Sequence, residues 1–385
     1  MTHLIAALQS EAERLGFDLI GVTSTHTPAH FDAYKNWVNS RFYGNMDYLA
    51  TERAVRLRRK PNEILPECKS IIVVGIRYPI EADNNLSWKN DLTGRIAAYA
   101  CGMDYHLFVP VLLEKLKLKI EKLLNQTVNA KIHCDTGPIL EKSLAMRAGL
   151  GWIGKNTILI NRNLGSFFFL GELFLDINLE NSLKEVKDFC GTCRRCIEAC
   201  PTQCIQDDRT IDASRCISYL TIENQHEIPR NLRSMMGNYV FGCDVCQLVC
   251  PWNRTHLIER ISQKEFSSKH LLPFINLPDI LLYSVIQFKN HFKKTPVLRA
   301  KYRGFLRNVV VAMGNSRNPE AIPSLVTTLY DNPDSLIRSH AAWALGQIED
   351  NRVKIVLEKA LKNENNSVVK REILAALEKN ELLNS

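Results

Sequence analysis

Cysteines are the residues of this chain whose type and spacing point most directly to chemistry. Nine of the twelve lie between residues 190 and 250 of the 385-residue sequence, and the eight other than Cys204 have the spacing of cluster motifs. The first four follow a C-x2-C-x2-C-x3-C-P pattern, and the others comprise a single cysteine and a C-x2-C-x3-C-P half-motif. Thiolates separated by two residues can converge on one iron–sulfur cluster, and the cysteine after the longer spacer reaches a second cluster. The spacing therefore predicts two [4Fe–4S] clusters.

The ligands can be divided between the two clusters on the bacterial ferredoxin pattern. One cluster is expected to take Cys190, Cys193, Cys196 and Cys250, and the other Cys200, Cys216, Cys243 and Cys246. Cys216 stands in for the cysteine that an intact second motif would carry where Val240 lies. Structural zinc would leave four of these cysteines unused. A radical enzyme that uses S-adenosylmethionine would need a C-x3-C-x2-C order, which is absent.

The remaining cysteines are not needed as cluster ligands, and we expect ordinary buried or partly exposed side chains; they are Cys68, Cys101, Cys134 and Cys204.

The first twenty residues contain four charged side chains and no unbroken apolar stretch, so no secretory signal is predicted. No segment approaches the roughly 20 apolar residues that span a bilayer. We therefore expect a cytoplasmic protein, where thiols stay reduced and a disulfide framework is disfavoured.

The elements that must position these groups give an α+β fold class with three domains. Residues 1–180 alternate helix and strand signals, with helices at 2–16, 107–124 and 139–148 and strands at 18–23, 70–76 and 130–134. Residues 157–160 and 166–175 are predicted to form adjacent strands. We expect an N-terminal α/β domain at 1–180, a ferredoxin-like two-cluster domain at 181–254 and a basic segment with helical repeats at 255–385.

Residues 301–380 carry a weak internal repeat. The segment that begins at Arg307 and ends at Gly314 matches the one from Arg338 to Gly346, and residues 370–377 form a fainter third copy. Asn-Pro pairs at 318–319 and 332–333 mark turns between helices. The pattern predicts HEAT-like helical repeats, in which each helix pair buries its face on the next.

The positive charge of the chain is concentrated in one tract. The chain carries 49 Lys and Arg against 41 Asp and Glu, a net charge of +8. Residues 255–318 hold 11 of the basic residues and three of the acidic ones, so this tract accounts for the whole excess. A single basic tract on a neutral protein suggests a polyanionic partner, although a solvated basic helix would have the same composition.

Several motifs, taken together, resemble the epoxyqueuosine reductase family. They include HCDTGP at 133–138, the run EK-x4-RAGLGWIGKN at 141–156, DYH at 104–106, GCDVCQ at 242–247 and the spaced Arg58, Pro61, Leu65, Pro66 and Lys69. The match extends over essentially the whole chain. It implies a cobalamin-dependent oxidoreductase that reduces epoxyqueuosine to queuosine at the wobble position of tRNA anticodons, with electrons passing from two clusters to cobalamin bound by the N-terminal domain.

The resemblance also assigns site residues. Asp135 matches the proton donor of the family, although its local sequence by itself favours a cap for helix 139–148. At neutral pH an ordinary aspartate is ionised, so burial against the corrinoid would have to raise its pKa. Predicted cobalamin contacts are Arg58, Asp135, Lys155, Asn156, Ser218 and Asp244. No histidine stands in a D-x-H-x-x-G pattern, so no histidine ligand to cobalt is expected.

The resemblance to a family that acts on tRNA favours a nucleic-acid role for the basic tract. Predicted contacts are Lys289, Lys293, Lys294, Arg299, Lys301 and Arg303. The aromatic residues Phe288, Phe292 and Tyr302 are expected to be core rather than stacking platforms. An unidentified low-potential electron donor is implied, and a monomer without membrane attachment is expected. The alternative is a corrinoid iron–sulfur reductase of a small substrate, similar to reductive dehalogenases, which would need neither the basic tract nor the repeats.

Overall fold

The computed structural model describes residues 2–80, 92–179, 186–253 and 273–383. The strands in chain order are β1 Leu19–Thr23, β2 Ser70–Arg77, β3 Thr93–Ile96, β4 Ala130–His133, β5 Trp152–Ile153, β6 Leu159–Ile160, β7 Phe168–Leu175, β8 Tyr239–Phe241 and β9 Phe274–Asn276. The helices are α1 Thr2–Arg14, α2 Phe31–Asn39, α3 Glu52–Arg59, α4 Tyr105–Leu124, α5 Glu141–Arg147, α6 Arg195–Glu198, α7 Ile217–Ile222, α8 Arg230–Arg233, α9 Val245–Leu248, α10 Leu277–Leu281, α11 Val285–His291, α12 Lys301–Ser316, α13 Ile322–Asp331, α14 Ser335–Leu345, α15 Asn351–Asn363 and α16 Ser367–Leu383. No helix among the described residues is long and apolar enough to cross a membrane.

The chain forms two compact units, each assembled from separate stretches of sequence. The first comprises residues 1–82, 102–214 and 244–267, and the second comprises 83–101, 215–243 and 268–385. The residues between 190 and 250 are thus shared between the units. The boundaries at 180 and 254 remain a prediction from sequence.

The first unit is built on an antiparallel sheet in the order β1-β2-β7-β4. Its central strands β2 and β7 are almost wholly buried because helices cover both faces. Gly171 in β7 lies against Val109 and Leu113 of α4, where a Cβ atom would come within 3.0 Å of both side chains. The opposite face carries Phe174, which packs in one apolar cluster with Leu144 of α5. The predicted α+β class is confirmed.

One predicted strand pairing is wrong. Residues 157–160 and 166–175 do not lie side by side: β6 pairs with β5, whereas β7 lies between β2 and β4. The sequence of β7, FFLGELFL, is largely apolar on both faces, so it is stable as a central strand with a neighbour on each side. The two-residue β6 could not supply such a neighbour.

The second unit contains a three-stranded sheet, β8-β3-β9, and the predicted helical repeats. Helices α12, α14 and α16 pack in succession, and each carries one copy of the sequence repeat. Two glycines that end these copies allow the helices to approach closely. A Cβ atom at Gly314 would lie 2.7 Å from the Cα of Ala344, and one at Gly346 would lie 2.6 Å from the Cβ of Ala376. The HEAT-like architecture is confirmed.

Candidate functional site

Four of the predicted cluster ligands converge within the first unit. Cys190 and Cys193 precede α6 and Cys196 lies within it, whereas Cys250 follows α9, which packs against α6. Burial raises the pKa of the Cys250 thiol, and the three other thiols raise it further. No three His, Cys, Asp or Glu side chains of the described residues are close enough to hold a single metal ion. Four sulfur donors that repel one another as thiolates suit a cationic iron–sulfur cubane, which would neutralise them.

Three aromatic side chains pack together beside these thiols. The indole N–H of Trp152 donates a hydrogen bond to Cys190 Sγ at 3.5 Å. Trp152 packs against Phe189 and Trp252, with ring centroids 5.2 Å away in each case. Trp152 is 1% exposed, so its N–H has no access to water. Hydrogen bonds to ligand sulfurs and exclusion of water both set the reduction potential of such a cluster.

Lys155 and Asn156, predicted to contact cobalamin, hold the backbone of the cysteine loops. Lys155 Nζ donates to the carbonyls of Gly191 and Cys193, at 2.7 and 2.9 Å. The buried side chain of Asn156 donates to the carbonyl of Cys246 at 3.4 Å. These contacts give both residues a role that spacing did not reveal, and a contact with cobalamin stays a prediction.

The second predicted ligand set is divided between the two units. Cys200 and Cys246 belong to the first unit, and Cys216 and Cys243 to the second. Cys200 Sγ lies 3.4 Å from the thiol of Cys204, whose hydrogen bond lowers the pKa of Cys200 to about 5. A lowered pKa favours the thiolate form that iron binds. Cys204, which the sequence left unassigned, therefore supports a predicted ligand.

The other predicted cofactor contacts belong to different elements of the chain. Arg58 is buried at the end of α3, where its guanidinium lies over the ring of Tyr34 and donates to the carbonyl of Ala54. Asp244 is buried in the first unit, and Ser218 is half-buried on α7 of the second. Their roles toward cobalamin stay predictions.

Asp135 lies just beyond β4 in a polar cluster that the first turn of α4 supplies. Its carboxylate accepts a hydrogen bond from the Tyr105 hydroxyl at 2.8 Å and pairs with His106 Nε2 at 3.4 Å. The ring of Tyr105 stacks on Phe169 of β7, which fixes its direction. The alternative that Asp135 caps the next helix is wrong, because α5 begins at Glu141 and has no side-chain cap.

Proton positions in this cluster follow from its charges. Loss of solvent alone would lower the pKa of His106, but Asp104 and Asp135 raise it to about 9. Partial loss of solvent would raise the pKa of Asp135, yet the nearby His106 ring and the hydrogen bond from Tyr105 outweigh this effect and lower that pKa. At neutral pH the protein alone thus holds the proton on His106 and leaves Asp135, with 58% of its side chain exposed, as the carboxylate.

Sequence reasoning gave these partners of Asp135 no role. Asp104 accepts from both the backbone N–H and Nδ1 of His106, at 3.1 and 2.7 Å, and so orients the imidazole. Glu141 accepts the backbone N–H of Asp135 at 2.6 Å. Behind it lies Glu172, which is wholly buried. The available signal was a lone glutamate within the apolar run that forms β7.

The predicted nucleic-acid contacts are all exposed, but they differ in their partners. Arg299 pairs with Glu223 and Arg303 with Asp334. No ion pair or side-chain hydrogen bond joins the remaining four to another described residue; they are Lys289, Lys293, Lys294 and Lys301. The basic residues at 260, 264 and 269 lie outside the described residues.

Arg307, counted in the same tract, is wholly buried and donates to the carbonyls of Leu220, Asn224 and His226. It therefore contributes no charge to the surface. Phe288 and Phe292 are core residues, as expected, whereas Tyr302 is half-buried.

Comparisons with known proteins agree with this arrangement. Residues 58–136 match the family model described as epoxyqueuosine reductase QueG, residues 189–253 a 4Fe-4S double cluster binding domain, and residues 297–378 HEAT repeats. The chain is 35% identical to the epoxyqueuosine reductase of Xanthomonas campestris, covering 90% of this chain and 96% of that protein. It is 37% identical to that of Escherichia coli, covering 93% of each.

Solved structures show the same likeness. A crystal structure of epoxyqueuosine reductase with an epoxyqueuosine-modified tRNA-Tyr stem loop superimposes with a TM-score of 0.89, at 29% identity over 99% of each chain. The Bacillus subtilis enzyme, with its catalytic aspartate loop swung out of the active site, gives 0.86 at 28% identity, covering 98% of this chain and 99% of that one. The protein described here is a member of the epoxyqueuosine reductase family, and hence an oxidoreductase.

Proposed function

We propose that this protein reduces epoxyqueuosine to queuosine at the wobble position of tRNA, with electrons passing from two [4Fe–4S] clusters to cobalamin. Family membership and the relative bound to a modified tRNA stem loop support the reaction and its substrate. The observation that carries the chemistry is the cluster of Asp135, Tyr105 and His106, because removal of an epoxide oxygen requires protons as well as two electrons.

The chain's own groups would supply those protons. When bound, cobalamin supplies a strongly reducing cobalt that can deliver electrons to the epoxide carbon. Asp135 is exposed enough to reach a substrate, and the Tyr105 hydroxyl and the His106 imidazolium direct protons at its carboxylate. Proton transfer from His106 would leave a neutral imidazole and an Asp135 acid that can protonate the departing oxygen. Exclusion of water from the Asp135 carboxylate would favour this neutral pair over the ion pair.

The cysteines would bind the two clusters that carry the electrons. Cys190, Cys193, Cys196 and Cys250 hold one cluster in this proposal, and Cys200, Cys216, Cys243 and Cys246 the other. Arg58, Lys155, Asn156, Ser218 and Asp244 are the proposed contacts to cobalamin. The exposed lysines of the basic tract would bind tRNA phosphates, which supplies affinity while the anticodon base enters the pocket.

The test begins with anaerobic reconstitution with iron and sulfide, followed by visible spectra with and without cobalamin. The proposal expects cluster absorbance in both samples and a corrinoid retained after gel filtration in the second. The enzyme is then assayed for queuosine in tRNA that contains epoxyqueuosine. A protein that retains no corrinoid, or turns over a small organic halide but not the tRNA, would contradict the proposal.

The role of Asp135 is tested separately. Asp135→Ala and Asp135→Asn should lose queuosine formation by about a hundredfold or more while keeping both spectra, because general acids contribute roughly 10²–10⁴-fold. Asp331→Asn, at an exposed aspartate of α13 in the second unit, serves as the matched control. If Asp135→Ala turns over like wild type, Asp135 is not the acid.

A further inference from the structure

The backbone of Asp135 is held by a group that the reaction itself does not use. Resting on the function proposed above, we propose that Glu141 is a positioning residue that fixes Asp135 in place through its backbone N–H, and that Glu141 and Glu172 form a pair sharing one proton. The pair would determine whether the carboxylate of Asp135 points at the substrate.

The conformation of Asp135 requires such support. Its φ is +62°, in the left-handed region that a residue with a Cβ rarely adopts. The turn around it is tight: the N–H of Thr136 donates to the carbonyl of Cys134 at 2.7 Å, and a Cβ atom on Gly137 would lie 2.6 Å from His133 Nδ1. Residues held in sparsely populated conformations persist only where the surroundings over-determine them. The 2.6 Å bond from Asp135 N–H to Glu141 Oε1 is the contact that reaches this residue's backbone from the adjacent helix.

Glu172 lies behind this contact in an environment that disfavours a second negative charge. It is on β7, opposite Val73 of β2 and His133 of β4, and none of its surface is exposed. Neither carboxyl oxygen accepts a hydrogen bond from any described group, and the carboxyl of Glu141 faces it. A buried carboxylate without a donor is costly, whereas a protonated one can donate to a neighbouring carboxylate.

The charges around the pair assign the proton to Glu172. Burial and then the charge of Asp135 raise the pKa of Glu141 to about 7, while Lys142 opposes that rise. Burial, then Glu141, and then Asp135 raise the pKa of Glu172 well above its usual range. Above about pH 7 we therefore assign the shared proton to Glu172 and the negative charge to Glu141, whose carboxylate accepts the Asp135 N–H. Below about pH 7 a second proton would neutralise Glu141 and weaken that bond.

The experiment measures backbone protection and turnover in the reconstituted enzyme. Hydrogen exchange of the segment 134–138 is followed by mass spectrometry at pH 8, alongside single-turnover formation of queuosine. Glu141→Ala should exchange this segment at least tenfold faster and lower the rate of turnover by about 10- to 100-fold, because a small displacement of a reacting group has effects of that order. Glu141→Gln, whose amide oxygen can still accept the N–H, should restore both within about threefold.

Glu172→Gln tests the shared proton. Its amide N–H replaces the carboxyl proton, so protection of residues 134–138 should match wild type at pH 8. Glu121→Ala is the matched control, since Glu121 Oε1 accepts the N–H of Val128 at 3.0 Å in another loop of the same unit. It should loosen only its own loop and leave turnover unchanged.

The outcomes separate this inference from the function on which it rests. Unchanged exchange in Glu141→Ala, or equal damage in Glu141→Gln and Glu141→Ala, would overturn the role of Glu141. Faster exchange in Glu172→Gln would overturn the shared proton. If wild type forms no queuosine, the proposed function fails, while the exchange measurements still test the positioning of Asp135.

Discussion

The basic tract yields a prediction that the structure sharpens, because its charges are not equivalent. Lys289, Lys293 and Lys294 are exposed and have no ion pair with another described residue, whereas Arg299 and Arg303 already hold carboxylates. Replacing the three lysines by alanine should therefore weaken tRNA binding mainly through the loss of phosphate contacts. Each contact contributes about 0.7 to 0.9 to the slope of log affinity against log salt, so the slope should fall by about 2 to 3.

The assay is tRNA binding, measured by filter retention or anisotropy, between 50 and 200 mM salt. Over this fourfold range, wild-type affinity should fall roughly 16- to 60-fold more than that of the triple lysine variant. The double variant Arg299→Ala, Arg303→Ala should change the slope by less than about 1, because each arginine must leave its carboxylate to bind a phosphate. If the arginine pair accounts for most of the slope and the lysines for none, the assignment of phosphate contacts is refuted.

Arg307 provides the control for stability in the same tract. It is buried without a carboxylate and donates to three carbonyls, one in α7 and two in the segment that follows it. Arg307→Met should leave these acceptors without a donor and cost about 3 kcal/mol or more, since each buried unsatisfied group costs roughly 1–3 kcal/mol. Thermal unfolding measures that loss. The triple lysine variant should unfold like wild type, which separates charge from structure.

Three further predictions concern the first unit. Trp152→Phe removes the N–H that donates to Cys190 Sγ. If that hydrogen bond is stronger by about 1 kcal/mol in the reduced cluster, its loss shifts the reduction potential by roughly 40 mV toward more negative values. Redox titration with EPR measures the shift, and an unchanged potential contradicts this role. Lys155→Met removes two hydrogen bonds to the cysteine loop and should speed the loss of iron to a chelator several-fold. Lys187→Met, at an exposed lysine, is the control and should leave that rate unchanged. Equal rates in the two variants would show that the loop does not depend on Lys155. The pKa of His106 is about 9 in the folded protein and about 6.5 in the unfolded chain, so protonation of His106 stabilises the fold. This contribution is complete below about pH 6.5 and is lost as the pH rises through about 9. The free energy of unfolding should therefore decline over that pH range in wild type and not in His106→Asn.

The sequence predicted the structure best where the determining residues are close together along the chain. Spacing of two or three residues brings Cys190, Cys193 and Cys196 together whatever the rest of the chain does, because so short a segment can reach one cluster. Helix periodicity likewise predicted α1 and α4 to within a few residues. The repeat that ends at Gly314 and Gly346 identified stacked helices, since each close approach leaves a glycine in the sequence.

The sequence could not decide contacts between distant segments. The sequence of β7 contains no local signal for pairing with β2 and β4 rather than with β6. That pairing follows from the burial of β7 on both faces. Arg307 and Lys293 look alike in a basic tract, and only packing shows that one holds carbonyls inside the protein while the other is exposed. Charge counted along a chain therefore overstates the charge that a partner meets.

Asp135 shows the division between the two kinds of information. Its type, its place after a strand and its family match were all in the sequence, and they named it as a proton donor. Only the tertiary structure shows that Tyr105 and His106 of α4 face its carboxylate and that Glu141 of α5 holds its backbone. A pKa is set by burial and by charges within a few ångströms, and those neighbours are separated along the chain by up to about thirty residues. The sequence determined which group is present, and the fold determined where its proton resides.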